Sequence, residues 1–204
     1  MTQVRIAIVY FSQHGSTQQL ADAVAKGAAE YSGIDVISYR IEASTMVAGR
    51  FVDKDLFQQL SSVDAIIMGS PTYMGGVAAQ FKAFIDATSD VWSEQRWANR
   101  IAAGFTCGSG LNGDQTACLQ AMNTLASQQG MLWVGLDAAH GVRDQGVNRL
   151  GCQLGVVAHV TSGQLHPTDR ASARYLGTRV AAVAIASKPL RPSICKKVEA
   201  IVEQ

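Results

Sequence analysis

The chain has 204 residues, 48% hydrophobic and 16% charged, which excludes intrinsic disorder and supplies enough apolar mass for one well-filled α/β domain. Its 17 basic and 16 acidic residues leave a formal net charge of +1, so it carries no electrostatic footprint for nucleic acid or an anionic membrane. The longest apolar run near the C-terminus, Val180–Ala186, is too short to span a bilayer, and no basic segment leads into an apolar stretch at the start, so a cytoplasmic protein is expected.

Val4–Phe11 is an almost continuous apolar run, the pattern of a parallel strand covered on both faces. Beyond Ser12–Thr17, residues Leu20, Ala21, Val24, Ala25 and Ala28 share one face of a helix, which Gly33 stops. Ile34–Tyr39 reads as the second strand, Phe51–Leu60 as a short helix, and Ala65–Gly69 as a third buried strand. A helix over Gly76–Thr88 would bury Val77, Phe81, Phe84 and Ile85. Ile101–Cys107 is the fourth strand, and Asp114–Gln128 a helix with Asp114 at its N-cap. Met131–Leu136 is the fifth strand, and Ala171–Ala186 a last helix started by Pro167-Thr168-Asp169. Strands alternating with helices predict a doubly wound, five-stranded parallel sheet with helices on both faces, over residues 1–187. The 188–204 tail is expected to form a short helix through Ile194, Val198, Ile201 and Val202. Asp137–Gln164 is glycine-rich and irregular, and a loop of that length is usually functional.

In such a sheet ligands bind beyond the carboxyl ends of the strands. Three loops there are rich in glycine and hydroxyls. Ser12-Gln13-His14-Gly15-Ser16-Thr17 would offer a phosphate the unpaired N–H groups of a helix start together with several O–H donors. An ordinary N-cap needs only one hydroxyl, so an anion nest is the better account. Ser70-Pro71-Thr72-Tyr73-Met74-Gly75-Gly76 offers a restricted turn, a hydroxyl and flat apolar surface for a planar ligand, although Tyr and Met there equally suit a core cap. Cys107-Gly108-Ser109-Gly110-Leu111-Asn112-Gly113 contains G-x-G-x-x-G, but after the fourth strand, not the first where a dinucleotide fold carries it. It reads as a second glycine-rich wall beside a ligand whose phosphate sits in the first loop.

Together these loops resemble the flavodoxin-like fold, and more closely the WrbA-type NAD(P)H:quinone oxidoreductases and NADPH-dependent FMN reductases. The resemblance rests on Ser12–Thr17, Gly69–Gly75, Phe84-Ile-Asp-Ala-Thr88 with Trp92, the segment after strand four, and Arg174-Tyr175-Leu176-Gly177. It implies noncovalent FMN, with Ser12–Thr17 on the phosphate, Pro71–Met74 on the isoalloxazine and Cys107–Asn112 on its other side. It further implies NAD(P)H as hydride donor, a quinone or similar acceptor, a ping-pong cycle, His14 and Trp92 at the substrate site, and a homo-oligomer, tetramer or dimer. No side chain is expected to be catalytic and no metal to be bound, since hydride transfer is flavin chemistry. Two departures bear on the nicotinamide donor: His14 stands where a tyrosine is usual, and Gln129 near a position often held by histidine.

A flavodoxin-type electron carrier without substrate turnover is the alternative, though such carriers tend to be strongly acidic. A phospho-receiver would need aspartates where Ser12 and Ser70 stand. The four cysteines (Cys107, Cys118, Cys152, Cys195) lack zinc or redox spacing and read as free thiols. His140, His159 and His166 show no metal spacing, and Asp137 reads as a strand-end cap.

Overall fold

The computed structural model describes residues 3–140 and 146–190. Its elements are β1 (Val4–Tyr10), α1 (Ser16–Ala28), β2 (Ile34–Arg40), β3 (Met46–Val47), β4 (Arg50–Phe51), α2 (Lys54–Leu60), β5 (Ala65–Tyr73), β6 (Gly76–Val77), α3 (Ala79–Ala87) and α4 (Ser89–Trp92). There follow β7 (Ile101–Gly108), α5 (Gln115–Gln128), β8 (Leu132–Trp133), β9 (Val156–Thr161), β10 (Gln164–Leu165) and α6 (Pro167–Ser187).

The parallel sheet runs β2-β1-β5-β7-β9, with β10 added antiparallel at the far edge. Strand order therefore reverses between β1 and β5, and the carboxyl ends of those strands open a crevice. Side chains alternate across the sheet and fill two apolar layers. Ile6, Ile8, Ile67 and Phe105 pack against Leu20 and Val24 of α1 and Leu176 and Val180 of α6. Val9, Ile66 and Met68 pack against α2, α3 and α5 through Phe57, Phe81, Phe84, Leu119 and Met122. The flavodoxin-like fold with helices on both faces is thus observed. On the first face α1 and α6 touch backbone to backbone: a Cβ on Gly177 would lie 2.0 Å from the Val24 carbonyl. His166 caps α6 by accepting from Thr168 N–H, with Pro167 in the first turn.

The fifth strand departs from the sequence expectation. Only Leu132–Trp133 of Met131–Leu136 is strand, pairing with Ile101 and Ala102 at the start of β7. The chain then leaves the sheet because the returning segment lies against it. Leu136 N–H donates to Gln153 O at 2.8 Å, Trp133 Nε1 donates to Leu154 O at 2.8 Å, and a Cβ on Gly135 would sit 2.2 Å from Gln153 O. It re-enters as β9, which pairs with Phe105–Gly108 at the other end of β7. Asp137–Gln164 is therefore not wholly irregular, since it contains β9.

Other boundaries move for local reasons. Phe51 belongs to a small hairpin with β3, and α2 starts only at Lys54, capped by Asp53 Oδ1, which accepts from Leu56 N–H at 2.8 Å. Gly76–Val77 is strand β6, so α3 buries Phe81 and Phe84 while Val77 and Ile85 are half-buried. Asp114 precedes α5 without a side-chain cap bond. Residues 191–204, and with them Ile194, Cys195, Val198, Ile201 and Val202, lie outside the described residues. Among the described residues Cys107, Cys118 and Cys152 are free and buried, and no helix is long and apolar enough to cross a membrane.

Candidate active site

The first loop is shaped by Gly15, which adopts φ 87° just before α1, in open space where a side chain would meet nothing within 4 Å. Its requirement for glycine is therefore conformational. Ser12 is buried, and its Oγ accepts from Gly15 N–H at 3.1 Å and Gln18 N–H at 3.2 Å, closing the loop into a ring. The N–H groups of Ser16 and Thr17, in the first turn of α1, have no acceptor among the described residues. Two aligned donors at the positive end of a helix dipole fit a phosphate. Arg40 approaches from the end of β2, donating to Ser12 O at 2.8 Å and to Gln18 Oε1 at 3.3 Å. The loop's own sequence offers only neutral donors; an arginine some twenty-eight residues away is not legible as a neighbour until β1 and β2 pair.

The second loop is mostly strand. β5 runs on to Tyr73, pairing with β7 as far as Pro71 opposite Cys107. β1 ends opposite Gly69, so beyond that point β5 is an edge on that side, where proline is tolerated. Met74 (φ 48°) and Gly75 (φ 76°) turn the chain into β6. Met74 at positive φ is a strained choice, and its side chain is fully exposed at the tip.

These edges enclose a cavity of about 400 Å³, within the range of cofactor sites. Gln13, His14, Ser16 and Thr17 line it from the first loop and α1. Pro71, Thr72 and Tyr73 line it from β5, and Cys107, Gly108 and Ser109 from β7 and the loop after it. All three segments singled out from the sequence thus meet around one space. Ser12 and Gly15 shape the loop without lining the cavity. Met74, Gly110 and Leu111 lie exposed outside the lining. Asn112 also lies outside it: its amide donates to Leu150 O at 3.1 Å and accepts from Thr116 Oγ1 at 3.1 Å, fastening the loop to the 134–155 segment. Gln115 supports the same loop from beneath, donating to Gly110 O at 2.7 Å.

A further wall is new. Val160, Ser162 and Gly163 of the β9–β10 hairpin line the cavity, with Ser162 (φ 50°) and Gly163 (φ 76°) forming the turn. Ser-Gly between two short β-branched and polar runs was the available hairpin signal. The hairpin is braced by Asp169, almost wholly buried, whose Oδ2 accepts from His159 N–H at 2.9 Å and Arg149 at 2.8 Å.

Burial pushes the Cys107 thiol up to about 11, with the Thr17 hydroxyl 3.4 Å away only partly opposing it. It is a neutral packing group and not a nucleophile at neutral pH. Burial also raises the Tyr73 phenol. Asp137 accepts from Tyr175 at 2.8 Å and from Arg179 at 2.5 Å, so it ties the chain beyond β8 to α6.

Trp92 does not join this cavity. It is half-exposed on a separate groove of about 770 Å³ between α3, α4 and α5, with Val77, Ile85, Leu125 and Gln129. Gln129 is buried there and donates to Thr88 O at 3.1 Å.

The model of the NADPH-dependent FMN reductase family matches residues 4–141. A flavodoxin of Pseudomonas aeruginosa, FldP, is 38% identical over 163 residues, covering 78% of this chain and 82% of that one. An NAD(P)H dehydrogenase (quinone) of Geotalea uraniireducens is 28% identical over 198 residues, covering 89% and 98%. Among solved structures, a WrbA-like flavodoxin from Agrobacterium tumefaciens aligns with a TM-score of 0.73 at 34% identity over 91% of this chain and 99% of that one.

Proposed function

This chain belongs to the NADPH-dependent FMN reductase family, and on that premise we propose that it transfers two electrons as hydride from NAD(P)H to a quinone, in a ping-pong cycle on FMN. The observation that carries the reading is the loop of unpaired first-turn N–H groups, with its ring of hydroxyls, opening into a cavity walled by the ends of β5 and β7. When bound, FMN supplies the hydride-accepting centre, and the protein's task is to bind, orient and shield. Ser16 and Thr17 would hold the phosphate through their backbone N–H groups and hydroxyls, on a loop that Ser12 and Gly15 keep in shape. Pro71, Thr72 and Tyr73 would flank the ring on one side, and Cys107, Gly108 and Ser109 on the other. His14, exposed at the mouth, would meet the nicotinamide.

Donor and acceptor would take turns at one open mouth, which predicts parallel lines in double-reciprocal kinetics. Trp92 shares no cavity with the phosphate loop, so a role for it at the substrate site would require a second copy of the chain to bring it there, in a homodimer or homotetramer. Anaerobic and aerobic assays of NADH and NADPH oxidation with benzoquinone, using FMN-loaded protein, test the activity. Loss of the reading follows if the purified protein neither retains nor takes up FMN by its visible absorption. A second reading, an electron carrier without turnover of its own, is favoured by the flavodoxin name of the Pseudomonas relative. Quinone-dependent turnover without any partner reductase excludes it.

A further inference from the structure

Three side chains with polar atoms, Ser70, Thr106 and Cys118, are buried together on the α5 face of the sheet just beneath the cavity, with half-buried Thr72 beside them. Ser70 and Thr106 face one another as paired residues of β5 and β7, and both are fully buried. Thr72 lies one pleat further along β5 and lines the cavity. Cys118 reaches toward all three from α5; burial raises its thiol, and hydrogen bonds from Thr106, Thr72 and Ser70 oppose that rise. Burying a hydroxyl costs free energy unless it is paired. Ser70 spends its hydroxyl on backbone, donating to Pro71 O at 2.9 Å and accepting from Ala78 N–H at 2.9 Å, which closes the return of the β5–β6 turn. Thr106 has no such backbone duty. Its Oγ1 lies 2.7 Å from Oγ1 of Thr72. A valine would fill the same volume in the apolar layer without the cost of a hydroxyl. A β-branched residue on a strand has few rotamers to choose from, so a partner at that distance selects one of them.

Resting on the FMN reading above, we infer that Thr106 is a positioning residue for the cofactor site: it never reaches the cavity, but through its hydroxyl it sets which face Thr72 presents to the planar end of the ligand. The same cavity has a phosphate end at Ser12–Thr17, which Thr106 does not touch. The two ends are therefore separable by ligand. FMN reports both, and riboflavin, which lacks the phosphate, reports only the ring end.

The test compares Thr106→Val, Thr106→Ser and Thr72→Val, titrated with FMN and with riboflavin by flavin fluorescence, with the bound absorption spectrum and midpoint potential recorded. Thr106→Val is expected to weaken both ligands about tenfold, as for loss of one buried hydrogen bond, and to shift the bound spectrum and potential. Thr106→Ser restores all of these, and Thr72→Val combined with Thr106→Val loses no more than either alone. The inference is overturned if Thr106→Val binds and absorbs like wild type, if serine fails to rescue it, or if the two losses add. A wild-type protein that takes up neither flavin would instead remove the underlying reading, an outcome the wild-type titration alone reveals.

Discussion

The two ends of the cavity hold their shape in different ways. At the end proposed for the phosphate, Ser12–Thr17 is a short loop whose donors are backbone N–H groups, turned by a glycine standing in open space. At the other end, Pro71, Thr72 and Tyr73 are strand residues, locked by pairing with β7 and by the β5–β6 turn. The glycines mark the contrast. Gly15 is required for its positive φ, whereas Gly69 in β5 has ordinary strand geometry but no room: a Cβ there would lie 2.2 Å from the Phe105 ring. A loop can donate to an anion from its backbone because it has no ladder to serve. Pro71 has no N–H to donate, and Thr72 and Tyr73 pair with β6, so the other end offers mainly side chains and flat surfaces.

The largest effect is expected from Gly69→Ala, which overfills the β5–β7 contact and should cost about 2–3 kcal/mol, or roughly 4–12 °C in thermal midpoint. If calorimetry shows wild-type stability, the ring end is softer than the packing implies. Ser12→Ala removes the acceptor for Gly15 and Gln18 N–H groups and should weaken FMN about tenfold while leaving riboflavin unchanged. Equal losses for both flavins would erase the distinction between the two ends. Gly15→Ala, with space for its methyl but a strained φ, should cost only about 1 kcal/mol, measurable by urea denaturation. The Cys107 thiol, raised from 9.0 to about 11 in the fold, makes stability fall as pH rises from 9 through about 11, because the unfolded chain ionises first. Denaturation midpoints across that window should drop less in Cys107→Ala. The smallest effect on the cofactor is expected from Trp92→Ala, whose groove is separate: FMN affinity stays at wild type while the quinone KM rises. A parallel loss of FMN affinity would mean that the groove and cavity are one site.

Much of this architecture was legible in the residues. The continuous apolar runs at Val4–Phe11, Ala65–Gly69 and Ile101–Cys107 read as buried parallel strands, and the loops after them as ligand-bearing, because both signals are local. The fifth strand was not legible as a unit. Met131–Leu136 looked like a complete strand, yet only Leu132–Trp133 pairs, and Val156–Thr161 completes the edge after an excursion whose glycines resemble loop punctuation. Position in the loops points to Met74, Gly110, Leu111 and Asn112 as site residues, but adjacency in sequence does not determine which way they face, and all four lie outside the lining.

What the chain's order of residues determined by itself was the alternation of strand and helix and the chemistry concentrated at the strand ends, since propensity, period and turn residues act over a few positions. Which of those residues share a cavity was decided only in three dimensions. Arg40 at the first loop, Thr106 beneath Thr72, and the β9–β10 hairpin as an extra wall each depend on strand pairing across long separations. The physical reason is that hydrogen-bond register and layer packing are collective: they form only when distant segments close together, and no short window of sequence contains both partners.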